Sequence, residues 1–312
     1  MTTSSQQDVA LLLKSYLPDL HYAERLVQSF NKYNVENLMM YVVVPPSDTA
    51  EFDSLSGNNV KVLGEDLLGR HLVQESTGGL RPGYVNQEIV KLAFWELGLA
   101  RNYFCVDSDA QFIRPIRASD FLAPDGFPYS VLVEDLELKV EPRYFDQYWR
   151  DRELSLRLIQ AEIQLDAPVI LTCHGHQIFS ADVLEDFVRN FLDVRGWDYR
   201  DALAVAPYEF SWYNFWLQKS RPIPIHPREP LVKVFHHEGH HFEYILRGIG
   251  PKDLARGYLA VVVNSNFTRD LDLVEIAAPK PIALSPYLSY REVGQLLRAK
   301  ARKSLRRLGR KA

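Results

Sequence analysis

Tyr103–Pro115, YFCVDSDAQFIRP, decides how the rest of the chain is read. Asn102–Val106 is a short apolar run of the kind that forms a strand buried on both faces. It stops at Asp107-Ser108-Asp109 and turns apolar again through Phe112 and Ile113 to Pro115. Two carboxylates at i and i+2 on an extended segment repel one another. A hard divalent cation, Mg²⁺ or Mn²⁺, removes that cost, because it prefers carboxylate oxygens and keeps coordination sites for phosphate. The pattern points to a metal-diphosphate site at the carboxyl end of a central strand. The plain alternative is a solvated turn after a strand.

Upstream of that stretch, Val9–Leu13 (VALLL) predicts a first buried strand, followed by the loop Lys14-Ser15-Tyr16-Leu17-Pro18-Asp19. From His21 to Tyr33, Ala23, Leu26, Val27 and Phe30 fall on one helical face. Leu38–Val44 reads as a second strand stopped by Pro45-Pro46, and Val60–Leu63 as a third. This β-α-β opening predicts a parallel sheet with helices on its faces. A glycine-bearing loop, Gly78–Gly83, leads into a helix from about Tyr84 to Leu97. Ile89, Leu92, Ala93 and Leu97 mark its buried side, and Asn86, Gln87 and Lys91 are expected to be exposed.

Downstream, Ser130–Val133 reads as a strand ending in Glu134 and Asp135, and Pro142–Leu165 as a helix. Pro168–Leu171 reads as a buried strand opening into Thr172-Cys173-His174-Gly175-His176. Ser180 suits the N-cap of the next helix. Ala202–Ala206 reads as a strand leading into the aromatic segment Tyr208–Trp216, and Leu231–Phe235 and Tyr258–Val263 as the last strands.

Composition narrows the class. With 312 residues, 46% hydrophobic and 24% charged, the chain can bury the core of one large α/β domain. Only Cys105 and Cys173 are present, which excludes a disulfide framework and suits reduced thiols in a cytoplasmic protein. The N-terminus carries no signal-peptide pattern, and no apolar run is long enough to span a bilayer. Residues 291–312 hold nine Lys or Arg against one acid, Glu292, so the net charge of −4 hides an acidic body and a basic tail. Val293, Leu296, Leu297, Ala301, Leu305 and Leu308 fall on roughly one helical face of that tail. This pattern suits an interfacial helix on anionic lipid, peripheral at the inner membrane surface. A solvated tail fits nearly as well, and a nucleic-acid arm fits less well beside an acidic body.

His236-His237-Glu238-Gly239-His240-His241 holds four of the nine histidines. It contains H-E-x-x-H, the pattern of zinc-dependent peptidases, which needs both histidines on one helical face with the glutamate as base. Here a strand-like VKVF run enters the motif, and Gly239 sits where the helix would have to form. One of the four histidines can instead supply a further ligand to a cation held by Asp107 and Asp109.

With these residues in view, the chain resembles a GT-A-type nucleotide-sugar glycosyltransferase, close to an uncharacterised bacterial group of such proteins. The likeness covers most of residues 9–265. It rests on LLLKSYLPDL, PGYVNQEIVKLAF, FCVDSDAQFIRP, PYEFSWYNFWL and the late histidine, with the D-x-D segment the most specific. It implies a GT-A-like, Rossmann-type α/β fold with a mixed, mostly parallel central sheet and helices on both faces. It implies a catalytic domain over residues 1–275 and a C-terminal extension over 276–312, ending in the basic helix or tail. The donor would be a UDP- or GDP-sugar, the acceptor a carbohydrate or glycolipid, and nucleic acid is not expected as a partner.

The resemblance also assigns residues. Lys14, Ser15 and Tyr16 would lie near the nucleotide. Asp107 and Asp109 would hold the diphosphate through Mn²⁺ or Mg²⁺, with Ser108 between them, and one of His236, His237, His240 or His241 would complete the metal shell. Gln87 and Lys91 would face the donor, and Gly175 a close-approach loop beside the acceptor. The group's pattern carries an acid after the serine where Trp212 follows Ser211 here. Glu209 could serve as the base an inverting enzyme needs, Asp135 competes for that role, and a retaining enzyme needs neither. Trp212, Tyr213 and Trp216 either stack on a sugar ring or pack a core. Two other readings stay open: a zinc-dependent hydrolase built on HEGHH, and a non-catalytic nucleotide-sugar-binding module.

Overall fold

A computed structural model describes residues 6–76, 79–133, 142–166, 170, 175–235, 244 and 247–263, together with 291, 294, 295, 297, 298, 301 and 302. The chain opens with β1 (Gln7–Lys14), α1 (Leu20–Tyr33), β2 (Met39–Val44), β3 (Val60–Gly64), α2 (Pro82–Ala93) and β4 (Ala100–Val106). With β7 (Ile178–Ser180) these strands form a five-stranded sheet in the order β3-β2-β1-β4-β7. The β1–β2, β2–β3 and β1–β4 pairs are parallel, and β7 runs antiparallel to β4.

The continuous apolar runs of these strands follow from burial on both faces. Successive side chains point to opposite faces, so each strand divides its residues between two cores. Leu11, Leu13, Phe104 and Val106 pack with Ala23, Leu26, Val27 and Phe30 of α1, the helical face expected from their spacing. Ala10, Leu12, Tyr103 and Cys105 pack on the other side with Ile89 and Leu92 of α2. Burial also pushes the Cys105 thiol well above its ordinary range, as an inert core cysteine requires.

α2 starts with Pro82 in its first turn, where the missing N–H costs nothing. After a tight turn at Phe94–Leu97 it is closed by Gly98 at φ +64°, a conformation that glycine adopts without a Cβ penalty. The next elements are β5 (Ala110–Phe112), β6 (Tyr129–Ser130), α3 (Pro142–Ile163), α4 (Ala181–Phe187), α5 (Tyr199–Val205) and α6 (Glu209–Ser220). They are followed by β8 (His226–Pro227), β9 (Val232–Phe235) and β10 (Ala260–Val263). β5, β10 and β9 make a second sheet in that order, antiparallel at β5–β10 and parallel at β10–β9.

Several expectations are corrected. Ala202–Val205 belongs to helix α5 rather than a strand. Asp198 caps α5, accepting from the backbone N–H groups of Arg200 and Asp201, while Asp201 reaches back to the N–H of Asp198. That capping box, followed by alanine and leucine, outweighs the strand-like look of the run. The strand expected at Ser130–Val133 pairs only at Tyr129–Ser130, although Val131 and Leu132 are buried. Ser180 precedes α4 in an extended conformation, but its side chain makes no capping bond.

Ile170 is exposed and outside any strand, and the rest of the expected strand Pro168–Leu171 lies outside the described residues. So do Cys173, Asp135 and His236, His237, His240 and His241. Of the tail, the seven described positions are helical, with Leu297 half exposed; Val293, Leu296, Leu305 and Leu308 lie outside the described residues. Among the described residues, no helix is long and apolar enough to cross a membrane.

Candidate active site

The strand order reverses direction at one place. From β1 the chain moves outward to β2 and then β3, and it returns to place β4 on the other side of β1. In open parallel sheets such a reversal leaves a crevice beyond the carboxyl ends of the two central strands, because the connections leave in opposite directions. Leu13 pairs with Val106, so Lys14 and Asp107 emerge side by side into that crevice.

On the β1 side, the Lys14 ammonium is almost wholly buried, 3.0 Å from a Glu65 carboxylate oxygen, and it donates to the Ser15 carbonyl at 2.9 Å. Burial lowers its pKa and the Glu65 carboxylate pulls the other way, leaving it below the usual lysine value. Glu65 follows β3 directly. The Ser15 hydroxyl is buried without a hydrogen-bond partner, and Tyr16 is about half exposed, with 48% of its surface open.

On the β4 side, the turn closes when the Ala110 N–H donates to the Asp107 carbonyl at 3.1 Å. Asp107 is half exposed, with its carboxylate oxygens 3.7 Å from the Lys91 ammonium and 3.9 Å from His176 Nε2. Ser108 points inward and donates to Asp19 at 3.4 Å. Burial raises the Asp19 carboxyl, Ser108 and His21 oppose the shift, and Asp107 adds to it. Asp109 is half-buried in the turn just before β5.

The floor of the crevice is a buried ionic cluster. Tyr84, Glu88 and Lys91 recur at i, i+4 and i+7, so they share one face of α2. That face meets the start of α6, where the Glu209 carboxylate lies 2.9 Å from Lys91 and the Phe210 ring lies 4.6 Å from it. The Tyr103 hydroxyl donates to the Lys91 carbonyl at 2.6 Å and ties α2 to β4. Burial alone would lower the Lys91 pKa; Glu209, Glu88 and Asp107 together outweigh it and hold the ammonium well above its ordinary value. Glu88 is pushed well up, first by burial and then by the nearby Glu209 carboxylate.

Several expected residues therefore converge at this crevice: Lys14, Ser15, Asp107, Ser108, Lys91 and Glu209. Gln87 is half-buried, three residues after Tyr84 and four before Lys91, on the same side of α2. Asn86 and Lys91 are not on an exposed helix face as expected: both are buried. Asn86 accepts from the Val73 N–H at 2.8 Å and donates to its carbonyl at 3.0 Å. Gly175 lies beside Phe210, but a Cβ there would meet the ring at 3.7 Å, an ordinary contact, so packing does not demand glycine.

The aromatic platform is corrected. Trp212, Tyr213 and Trp216 are buried, and Trp212 and Trp216 pack with Phe187 and Phe191. Their polar atoms are satisfied inside the core: Trp212 Nε1 donates to the Ala206 carbonyl, Trp216 Nε1 donates to Asp186, and the Tyr213 hydroxyl accepts from the Ser180 N–H. No ring face is left for a sugar.

Glu88, His176, Asp19 and Glu65 were not singled out from the sequence. His176, Asp19 and Glu65 each meet a partner far along the chain, Asp107, Ser108 and Lys14, so no local pattern marked them.

Among the described residues, no three His, Cys, Asp or Glu side chains are grouped closely enough to hold a metal ion by themselves. Asp107 and Asp109 nevertheless offer hard carboxylate oxygens at the mouth of the crevice. That donor set fits Mg²⁺ or Mn²⁺, which is commonly held by one or two carboxylates with substrate phosphates filling the shell.

Fold and site together define an α/β protein with a carboxylate- and lysine-lined crevice at the switch point of its sheet. The chain belongs to a family of unknown function (DUF6492), whose profile matches residues 9–227. No curated protein matches the sequence. Among solved structures, the chain is similar to mouse xyloside xylosyltransferase 1 in its apo form, with 10% identity and a TM-score of 0.45 over 83% of this chain and 98% of that one. It is also similar to the apo structure of the WbbM bifunctional glycosyltransferase, with 12% identity and a TM-score of 0.49 over 96% of this chain and 52% of that one.

Proposed function

We propose that this protein is a metal-dependent glycosyltransferase that moves a sugar from a nucleoside-diphosphate donor to a carbohydrate or glycolipid acceptor. The observation that carries the proposal is the pair Asp107 and Asp109 at the end of β4, opening into the switch-point crevice between buried Lys14 and Lys91. Asp107 and Asp109 would hold Mn²⁺ or Mg²⁺, and the bound ion would neutralise charge developing on the leaving nucleoside diphosphate.

The chain's own residues prepare that site. Lys91 is a fixed cation beside Asp107, prepaid in orientation by its contact with Glu209, and such preorganised charge acts most strongly away from water. Lys14, Ser15 and Tyr16 line the β1 side, where the nucleoside would lie. Glu209 serves to orient Lys91 rather than to act as the acceptor's base. Its carboxylate is buried and engaged, whereas a base must reach the proton it removes. Asp135 then stands as the candidate base of an inverting reaction.

The test is hydrolysis and transfer across a panel of UDP- and GDP-sugars with Mn²⁺ or Mg²⁺. One donor is expected to turn over only with metal, and Asp109→Ala is expected to abolish both its binding and its turnover. Metal-dependent binding without turnover would instead make this a binding module. If Asp109→Ala leaves both intact, the site is wrong.

A further inference from the structure

Asp107 divides its two carboxylate oxygens between two neighbours. Oδ1 lies 3.7 Å from the Lys91 ammonium, and Oδ2 lies 3.9 Å from His176 Nε2. The histidine side chain is 3% exposed and that of Asp107 is 41% exposed, so His176 reaches Asp107 from the buried side of the crevice.

The place of His176 is fixed by β7, which runs antiparallel to β4 with Phe104 opposite Ile178. The Cys105 N–H donates to the Gln177 carbonyl at 2.9 Å, so the pairing continues one residue beyond the strand. The Gln177 side chain is held in turn, donating to the Val131 carbonyl at 3.1 Å. His176 therefore arrives on an anchored backbone beside the end of β4, where Asp107 leaves the sheet. Donors carried on such rigid elements hold their geometry better than donors on loops.

At 3.9 Å the two atoms are too far apart for a hydrogen bond. They are spaced as two donors to one ion. With metal–ligand distances of about 2.1 Å, donors on an octahedral ion sit about 3 Å apart when adjacent and about 4.2 Å apart when opposite. We infer that His176 is a nitrogen ligand of the divalent cation, shared with Asp107, and that it biases the crevice toward Mn²⁺ over Mg²⁺. The presence of a cation rests on the donor-site reading above. Mg²⁺ keeps to oxygen ligands and gives up its waters reluctantly, whereas imidazole nitrogen binds first-row transition ions better. Lys91 stays on the other carboxylate oxygen, so the ammonium and the ion-binding pair flank Asp107 from two sides. The sequence offers His236, His237, His240 and His241 for a histidine ligand; the fold is what brings His176 to Asp107.

The experiment titrates Mn²⁺ into the full chain with UDP or GDP present, for wild type, His176→Gln and His176→Leu. Melting curves establish that each variant folds. Free Mn²⁺ is read by electron paramagnetic resonance, and nitrogen coordination by the modulation that a bound imidazole imposes on the Mn²⁺ electron-spin echo. Wild type should show that modulation, and both variants should lack it. His176→Leu should bind Mn²⁺ at least about tenfold more weakly. His176→Gln offers an amide oxygen in place of the nitrogen, so its preference for Mn²⁺ over Mg²⁺ in competition should fall at least about fivefold. Bound Mn²⁺ without nitrogen modulation in wild type overturns the ligand role and leaves the donor-site reading standing. Modulation that survives in either folded variant assigns the nitrogen to another group and overturns it as well. An unchanged metal preference in His176→Gln overturns the role in selectivity. If wild type binds no Mn²⁺ with either nucleotide, the donor-site reading fails and the ligand role falls with it.

Discussion

Asp107 stands at the end of a strand whose last four residues, Tyr103–Val106, are all buried, and it is the first carboxylate there to meet solvent. Its neighbour Lys91 is the residue on which the buried charges converge. Removing one member of a buried ion pair leaves an uncompensated charge, which costs far more than losing an exposed pair. Lys91→Met should therefore lower stability by about 3 kcal/mol in urea unfolding, while Asp107→Asn, at a half-exposed side chain, should cost less than about 1 kcal/mol. Equal losses in the two variants would mean that Lys91 carries no more of the structure than a surface lysine. Asp107 and Asp109 were visible in the sequence because their spacing is local. Glu88 was not, since the carboxylate that makes it unusual, Glu209, is far along the chain and meets it only through the packing of α2 on α6.

At the scale of elements, α5 shows a local signal that the length and polarity of a run can hide. Asp198 and Asp201 form a reciprocal cap, with the Arg200 N–H donating to Asp198 at 2.7 Å and the Asp198 N–H donating to Asp201 at 2.8 Å. Asp198→Ala should cost about 1 kcal/mol, read from urea unfolding, with Asp198→Asn recovering much of it. No loss on Asp198→Ala would show that tertiary packing of Tyr199, Ala202 and Leu203 holds α5 without its cap. The strands and α1 were legible because their apolar periods match burial on two faces and on one. α6 was harder. Its hydrophobic residues surround the helix almost completely, so the sequence could not say whether Trp212, Tyr213 and Trp216 face a ligand or a core.

For the whole molecule, the crevice lies between strands that anchor both cores, so a ligand bound there is linked to global unfolding. A nucleoside diphosphate with Mn²⁺ at about 100 times its dissociation constant should add about 2.7 kcal/mol of stability. That appears as a rise in melting temperature, which Asp107→Asn should abolish. A rise that survives in Asp107→Asn would move the binding site elsewhere.

The sequence by itself determined the α/β class, the order of the first strands and the acidic turn after β4, because each depends on periodicity or on residues a few positions apart. Only the tertiary structure decided which charges share the crevice floor. Lys91, Glu88, Glu209 and His176 come from three separate segments, and their energies depend on loss of solvent, a property no residue has until the chain closes over it.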